Sequence, residues 1–163
     1  MTTKSQQLQI RVTPHQKATL KRLAAAASQD VSSYVLSRAL PAARIRFGGI
    51  LRSLATESDQ RFALADLNDL LTGLAPVEFH QAVAHPDLVG LSPFAANYVA
   101  AMVEQAAWDK GVASPSWVDA VPPLESPHFA APLKSLRLHL LRASPVPFKR
   151  RNLFVDSAPG ARV

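Results

Sequence analysis

The sequence predicts a mainly α-helical protein that opens with one short β-strand and closes with a proline-rich, largely extended segment. Three observations predict this class. Apolar and polar residues alternate over 7–12, apolar residues recur at helical spacing through most of the next hundred positions, and seven prolines interrupt 115–147. The expected domains are residues 1–42 and 43–163, and the second of these ends in the proline-rich segment 113–163.

The first predicted element is the strand over residues 7–12. Its period of two places three apolar side chains on one face and three polar side chains on the other. A lone strand cannot satisfy its own backbone, and no second strand of this quality follows within the next hundred residues. We therefore expect it to pair with the same strand of a second copy. The apolar residues are Leu8, Ile10 and Val12, and the polar residues are Gln7, Gln9 and Arg11.

A helix start follows the strand directly. Thr13 suits the N-cap, Pro14 suits the first helical position, and Gln16 completes a Thr-x-x-Gln capping box. The helix is expected over about residues 14–27, because this stretch is rich in Ala, Leu, Lys and Gln. A break at 28–30 then ends it.

The next predicted helix begins around Ser32, which we take as its N-cap because it follows the apolar Val31. It is expected to stop at Leu40, since a residue before proline disfavours the helical conformation. Strand, helix, turn and helix therefore occupy about the first forty residues.

This order of elements resembles the ribbon-helix-helix family of DNA-binding proteins (Arc/MetJ-like), and within it the antitoxin branch of type II toxin-antitoxin systems. The resemblance rests on Arg-Val-Thr-Pro at 11–14 and Asp-Val-Ser-Ser at 30–33, and it covers about residues 5–42. In the family, two strands from two chains form an antiparallel ribbon that lies in the major groove. The family turn usually carries a glycine, whereas this chain has Ser-Gln-Asp at 28–30.

The resemblance implies two sets of DNA contacts. The outward strand residues would read bases, since Arg can bond bidentately to guanine and Gln to adenine. The N-terminal amides of the second helix would bind a phosphate. The implied base-reading residues are Gln7, Gln9 and Arg11, and the implied phosphate contacts are Lys4, Val31, Ser32 and Ser33. Asp30 lies near that phosphate contact and is expected to weaken it somewhat.

Two interpretations without DNA binding stay open for this region. A strand before a helix also begins many α/β folds, and Gln or Arg on a strand often lies on a solvated face without a binding role. The charge distribution favours DNA. Residues 1–46 carry eight Lys/Arg and one acid, residues 47–133 carry a net −7, and residues 134–163 carry a net +6. A basic N-terminal block agrees with salt-sensitive phosphate contacts.

Four further helices are expected between residues 43 and 110. The first, to about 56, is expected to bend or to cross another helix closely at Gly48-Gly49. The second is expected to be capped by Ser58, to bury Phe62 and to end at Gly73. The others are expected at about 76–83 and 93–110.

The proline-rich segment is expected to hold one helix, at about residues 133–143, and to pack through aromatic and apolar side chains. Those side chains are Trp117, Leu124, Phe129 and Phe148. A basic triplet then precedes a short strand-like run. The triplet predicts either a recognition element for an acidic partner or nucleic acid, or a solvated turn before a packed strand. The candidate partner contacts are Lys149, Arg150, Arg151 and Phe154.

Composition narrows the function classes. The chain has no cysteine, no apolar run of roughly twenty residues and no apolar leader, so we expect a cytoplasmic protein without disulfides or membrane spans. The five histidines match no common zinc spacing, and no nucleophile or phosphate loop accompanies them. We therefore expect no catalytic site, no metal and no cofactor.

Two functional hypotheses remain. The first is a DNA-binding antitoxin, a homodimer that represses its own operon on double-stranded operator DNA and neutralises a protein toxin through residues after Pro41. The alternative is a ribbon-helix-helix transcriptional regulator or a plasmid or relaxosome accessory protein. In that case the second domain would mediate oligomerisation or sense a ligand. Both hypotheses predict a dimer on palindromic or repeated DNA.

Overall fold

The computed structural model of the chain describes residues 9–39, 42–131 and 133–156, and it is mainly helical. The chain divides into two compact units, Met1–Leu40 and Pro41–Val163, which we call unit 1 and unit 2. The α-helices of the described residues are α1 Pro14–Ala26, α2 Val31–Ala39, α3 Ala42–Thr56, α4 Arg61–Gly73, α5 Pro76–Val83, α6 Pro93–Asp109, α7 Trp117–Ala120, α8 Arg137–Ala143 and α9 Val146–Lys149. The strands are β1 His128–Phe129 and β2 Leu153–Phe154, and Lys134–Leu136 forms a 3₁₀ helix.

Helix α1 begins with the predicted capping box. The Thr13 hydroxyl accepts a hydrogen bond from the Gln16 amide at 3.3 Å, and the Gln16 side chain accepts one from the Thr13 amide at 2.9 Å. Two backbone donors that the helix itself leaves unpaired are thereby satisfied. The predicted start of this helix at Pro14 is confirmed.

The turn between α1 and α2 is a Schellman motif with serine in the position that favours glycine. The Gln29 amide donates to the Ala24 carbonyl, and the Ser28 amide donates to the Ala25 carbonyl. Ser28 has a φ of +53°, in the left-handed region. The sequence difference from the family pattern therefore falls where a β-carbon costs most.

Helix α2 is capped by Asp30 and not by Ser32, so the predicted N-cap was wrong. The Asp30 carboxylate accepts from the Ser33 amide at 3.0 Å, and the Asp30 carbonyl accepts from the Tyr34 amide at 2.9 Å. Asp and Ser cap comparably well. The choice between them depends on the length of the preceding turn, which the propensities do not give.

The predicted strand over 7–12 is only partly within the described residues. Residues 9–12 lie outside any helix or strand in the single chain. Ile10 and Val12, which the pattern placed on an apolar face, are 60% and 42% exposed. A strand that pairs only with a second copy has no partner in one chain, so strand pairing stays a prediction.

Unit 2 is built around a core of helices α3 to α6. The predicted helices over 76–83 and 93–110 are confirmed, and the Ser92 hydroxyl caps α6 by accepting from the Ala95 amide. The largest fully enclosed side chains come from helices α3 to α7 and from the C-terminal segment. They include Phe47, Phe79, Val99 and Phe148.

Three expectations for α3 and α4 were wrong. Gly48 and Gly49 lie inside one continuous helix, and among the described residues a β-carbon there would approach only the Arg52 side chain, at 3.7 Å or more. The expected close helix crossing was therefore wrong, whereas the expected bend at these glycines stays a prediction. Helix α4 begins at Arg61 without a side-chain cap, so Ser58 is not its N-cap, and Phe62 in its first turn is 74% exposed.

The proline-rich segment is less extended than expected. Short helices α7, α8 and α9 fit between the prolines, because proline is tolerated in the first turn of a helix. Strands β1 and β2 pair in parallel, with His128 opposite Leu153 and Phe129 opposite Phe154. The predicted packing of Trp117, Leu124 and Phe148 in unit 2 is confirmed.

Candidate functional site

The residues implied to read bases precede α1. Gln9 and Arg11 are exposed and lie in the segment that leads to Thr13. Lys4 and Gln7 lie outside the described residues. The capping box fixes the point at which this segment enters α1, and Arg11 lies two residues before the cap. Arg11 is therefore exposed to solvent beside the start of α1.

The residues implied to bind phosphate form the first turn of α2. Val31 and Ser32 are exposed and Ser33 is half-buried. The Ser33 amide already donates to the Asp30 carboxylate, whereas the Val31 and Ser32 amides belong to a first turn that no helix carbonyl satisfies. A phosphate at this end would therefore meet two amides and one carboxylate. The carboxylate opposes the attraction of the helix dipole for an anion.

Cations surround these elements within unit 1. Lys17, Lys21 and Arg22 are exposed along α1. The Arg38 guanidinium lies 5.5 Å from the centre of the Tyr34 ring, in a cation–π contact that orients it on α2. The basic character of the N-terminal block is therefore displayed on the surface of the folded unit.

In unit 2, the basic triplet at 149–151 is divided between interior and surface. Arg151 is 4% exposed, and its guanidinium donates to the carbonyls of Val118 at 2.7 Å and Val121 at 3.2 Å. It also lies 3.7 Å from the Glu104 carboxylate. Burial lowers the pKa of Arg151, and the Glu104 charge opposes that effect. Its side chain joins the C-terminal segment to α6 and α7 and offers no surface to a partner.

The neighbours of Arg151 are more accessible. Arg150 is exposed and pairs with Glu104 at 2.5 Å, while the half-buried Lys149 donates to the Arg142 carbonyl at 2.9 Å. Phe154 is buried and stacks on Phe129, with ring centres 4.8 Å apart. Partner contact by this segment stays a prediction, and only Lys149 and Arg150 have the exposure it requires.

Sequence reasoning missed a group of exposed leucines just before this triplet. Leu133, Leu136, Leu138 and Leu141 are all exposed, whereas Leu140 is buried. The signal was present in the sequence, because leucine at 136, 138, 140 and 141 surrounds a short helix more fully than one buried face requires. The prediction of a helix at 133–143 gives the secondary structure of this stretch and assigns no leucine to the interior or to the surface.

The described residues contain no group of three or more His, Cys, Asp or Glu side chains suited to a metal ion. Among the same residues, no helix combines the length and apolar character needed to cross a membrane.

Comparison with known proteins found a similarity in the N-terminal segment. Residues 7–45 match a family model described as Antitoxin TacA 1-like. No curated protein and no solved structure matches the chain. The matched segment spans α1 and α2, and it contains the capping box, Ser28 and Asp30. Residues 7–45 are therefore an antitoxin-family segment, similar to TacA 1-like antitoxins and consistent with a ribbon-helix-helix domain.

Proposed function

We propose that the chain is a type II antitoxin that binds operator DNA as a dimer through unit 1 and neutralises a protein toxin through unit 2. The observation that carries the proposal is the antitoxin-family match over residues 7–45, joined to a second unit with its own core. Binding is the proposed activity of both units, and no catalytic step is assigned to either.

Dimer formation is supported by apolar side chains that unit 1 leaves in water. Ile10 and Val12 precede α1, and Leu23 and Leu36 lie on α1 and α2, all of them exposed. A second copy would pair its residues 7–12 with residues 7–12 of the first copy and would cover these apolar side chains. Apolar side chains whose exposure is unfavourable in one chain would then be buried in the interface between two chains.

DNA binding is supported by the surface that such a dimer would carry. Pairing of two copies would place Gln9 and Arg11 on the outer face of the ribbon, where Arg can contact guanine and Gln adenine. The exposed Lys17, Lys21 and Arg22 supply the positive charge that phosphates attract. The first turn of α2 offers two backbone amides to a phosphate of the DNA.

A gel-shift titration on the DNA upstream of the gene tests the DNA-binding half. Arg11→Ala is expected to weaken binding at least about tenfold, since a bidentate base contact is worth roughly 1–3 kcal/mol and occurs twice per dimer. The matched control is Arg52→Ala, an exposed arginine of α3 in unit 2, which should leave affinity within about twofold. Equal affinity of wild type and Arg11→Ala would remove the base-reading assignment.

Co-purification with the product of the neighbouring reading frame tests the other half. The proposal predicts a stable complex with the full chain. Operator binding without any such complex would favour a plain ribbon-helix-helix regulator instead.

A further inference from the structure

Helix α8 holds leucine side chains in water. Leu138 is 70% exposed and Leu141 is 43% exposed, and the preceding 3₁₀ turn adds Leu136 at 43%. Residues three apart on a helix are neighbours, so Leu138 and Leu141 form one apolar area. Apolar side chains grouped on a surface mark sites of protein contact more often than isolated ones do.

The exposure belongs to a helix that is fixed in place. Leu140 is buried beneath α8, and the Ser144 hydroxyl at the end of the helix lies 2.6 Å from the Leu140 carbonyl and 2.7 Å from the Val155 carbonyl. The Arg137 guanidinium lies 5.0 Å from the centre of the Phe129 ring. One side of α8 is therefore anchored to unit 2, and the leucines stand on the other.

Three exposed cations accompany the leucines on the 3₁₀ turn and α8. Residues 127–155 contain six Lys/Arg and no Asp or Glu, and two of the six, Arg150 and Arg151, pair with Glu104 from α6. Arg137 and Arg142 are exposed on α8 itself, and Lys134 is exposed one turn earlier. A partner that covers this area must bring carboxylates to its rim, because like charges across an interface cost binding energy.

The same face carries a shallow depression. Its lining consists of Ser135, Leu138, His139, Arg142 and Ala143. The spacing of these residues follows one side of the 3₁₀ turn and α8. A leucine and an arginine in one depression suit an apolar side chain of the partner with a carboxylate beside it.

We propose that Leu138, Leu141 and Arg142, here called the α8 surface, form the toxin-contacting surface of unit 2, and that they bind an acidic area of the toxin with an apolar centre. The inference rests on the proposed antitoxin function and assigns the residues that carry it. Exposed leucines disfavour nucleic acid as the occupant, because such interfaces are predominantly polar. Arg142 disfavours an apolar or basic partner.

The test is a binding titration of the full-length protein against the purified product of the neighbouring reading frame. Leu138→Glu and Arg142→Glu are each expected to weaken binding about tenfold or more, as central interface residues do. The matched controls are Val89→Glu, 87% exposed in a loop, and Arg52→Glu, exposed on α3; both should stay within about twofold. All four sites are on the surface, and unchanged thermal unfolding verifies the fold. Operator affinity of the four variants should equal that of wild type.

The outcomes separate this inference from the function on which it rests. Failure of the wild-type protein to bind the neighbouring product would overturn the proposed function and this assignment together. Wild-type binding that Leu138→Glu and Arg142→Glu leave intact would overturn only the α8 surface. Sedimentation showing that Leu138→Glu lowers the number of chains in the assembly would assign the surface to a second copy instead. A loss of DNA affinity in Arg142→Glu would assign it to nucleic acid.

Discussion

Arg151 donates a 2.7 Å hydrogen bond to the backbone carbonyl of Val118, 33 residues earlier in the chain. Replacement of Arg151 by alanine would remove the guanidinium donor from this carbonyl and from that of Val121, and would leave Glu104 without its nearest buried cation. We expect Arg151→Ala to lower the free energy of unfolding by about 3 kcal/mol. Urea denaturation, monitored by circular dichroism, measures this change in the free energy of unfolding.

Arg150 provides the matched control for that experiment, because it is the adjacent arginine but is exposed. Arg150→Ala should cost less than about 1 kcal/mol, as surface ion pairs do. If both variants cost the same, the interior network around Arg151 does not stabilise unit 2 in the way described.

Ser28 offers a stabilising substitution in unit 1. Its φ of +53° is available to glycine without strain, and the Schellman bonds around it use only backbone atoms. Ser28→Gly should raise the free energy of unfolding of unit 1 by roughly 0.5–1 kcal/mol. The control is Ala27→Gly, one residue earlier at a φ of −91°, which should give no gain. A stabilising Ala27→Gly or a neutral Ser28→Gly would contradict the left-handed turn.

Gly48 in α3 offers a stabilising substitution in unit 2. It lies inside a continuous helix, and the nearest described neighbour to an added β-carbon is the end of the Arg52 side chain at 3.7 Å. Gly48→Ala should stabilise unit 2 by up to about 1 kcal/mol through helix propensity. Gly90→Ala is the contrasting variant, since its φ of +85° strains any side chain, and it should destabilise. Thermal unfolding of both variants tests these two predictions. A fall in the melting temperature of Gly48→Ala would contradict the predicted stabilisation of α3.

Local signals in the sequence predicted local structure well, and they failed where the outcome depends on distant parts of the chain. The Thr13 capping box and the Ser92 cap were readable because all their atoms lie within one turn. The burial of Arg151 was not readable, since its partners come from residues 97–121. Periodicity places Phe62 on the apolar face of α4, but it does not show whether another element covers the whole length of that face, and Phe62 is 74% exposed.

The candidate site follows the same division. Gln9 and Arg11 could be named from the alternation and the resemblance, because the family pattern is contained in one short segment. For α8 the sequence shows more leucines than one buried face requires, but not which side another element covers, so the exposed leucines could not be told apart from the buried Leu140.

Asp30 is expected to set the strength of the phosphate contact at α2. Asp30→Ser keeps a capping oxygen for the Ser33 amide but removes a negative charge from the phosphate site. Operator affinity should rise roughly three- to thirtyfold, since a charge at a helix end is worth about 0.3–1 kcal/mol and the contact occurs twice per dimer. Gel-shift titration at low salt measures the change. Weaker binding by Asp30→Ser, with its stability unchanged, would exclude a phosphate at this position.

Growth of cells that express the neighbouring reading frame is the decisive measurement for the antitoxin function. An antitoxin function predicts that this product alone stops growth and that co-expression of the full chain restores it. Arg11→Ala should restore growth equally well, because it alters DNA reading in unit 1 and leaves the proposed neutralising unit intact. A neighbouring product that is harmless alone, or that still stops growth beside the full chain, would contradict the antitoxin function.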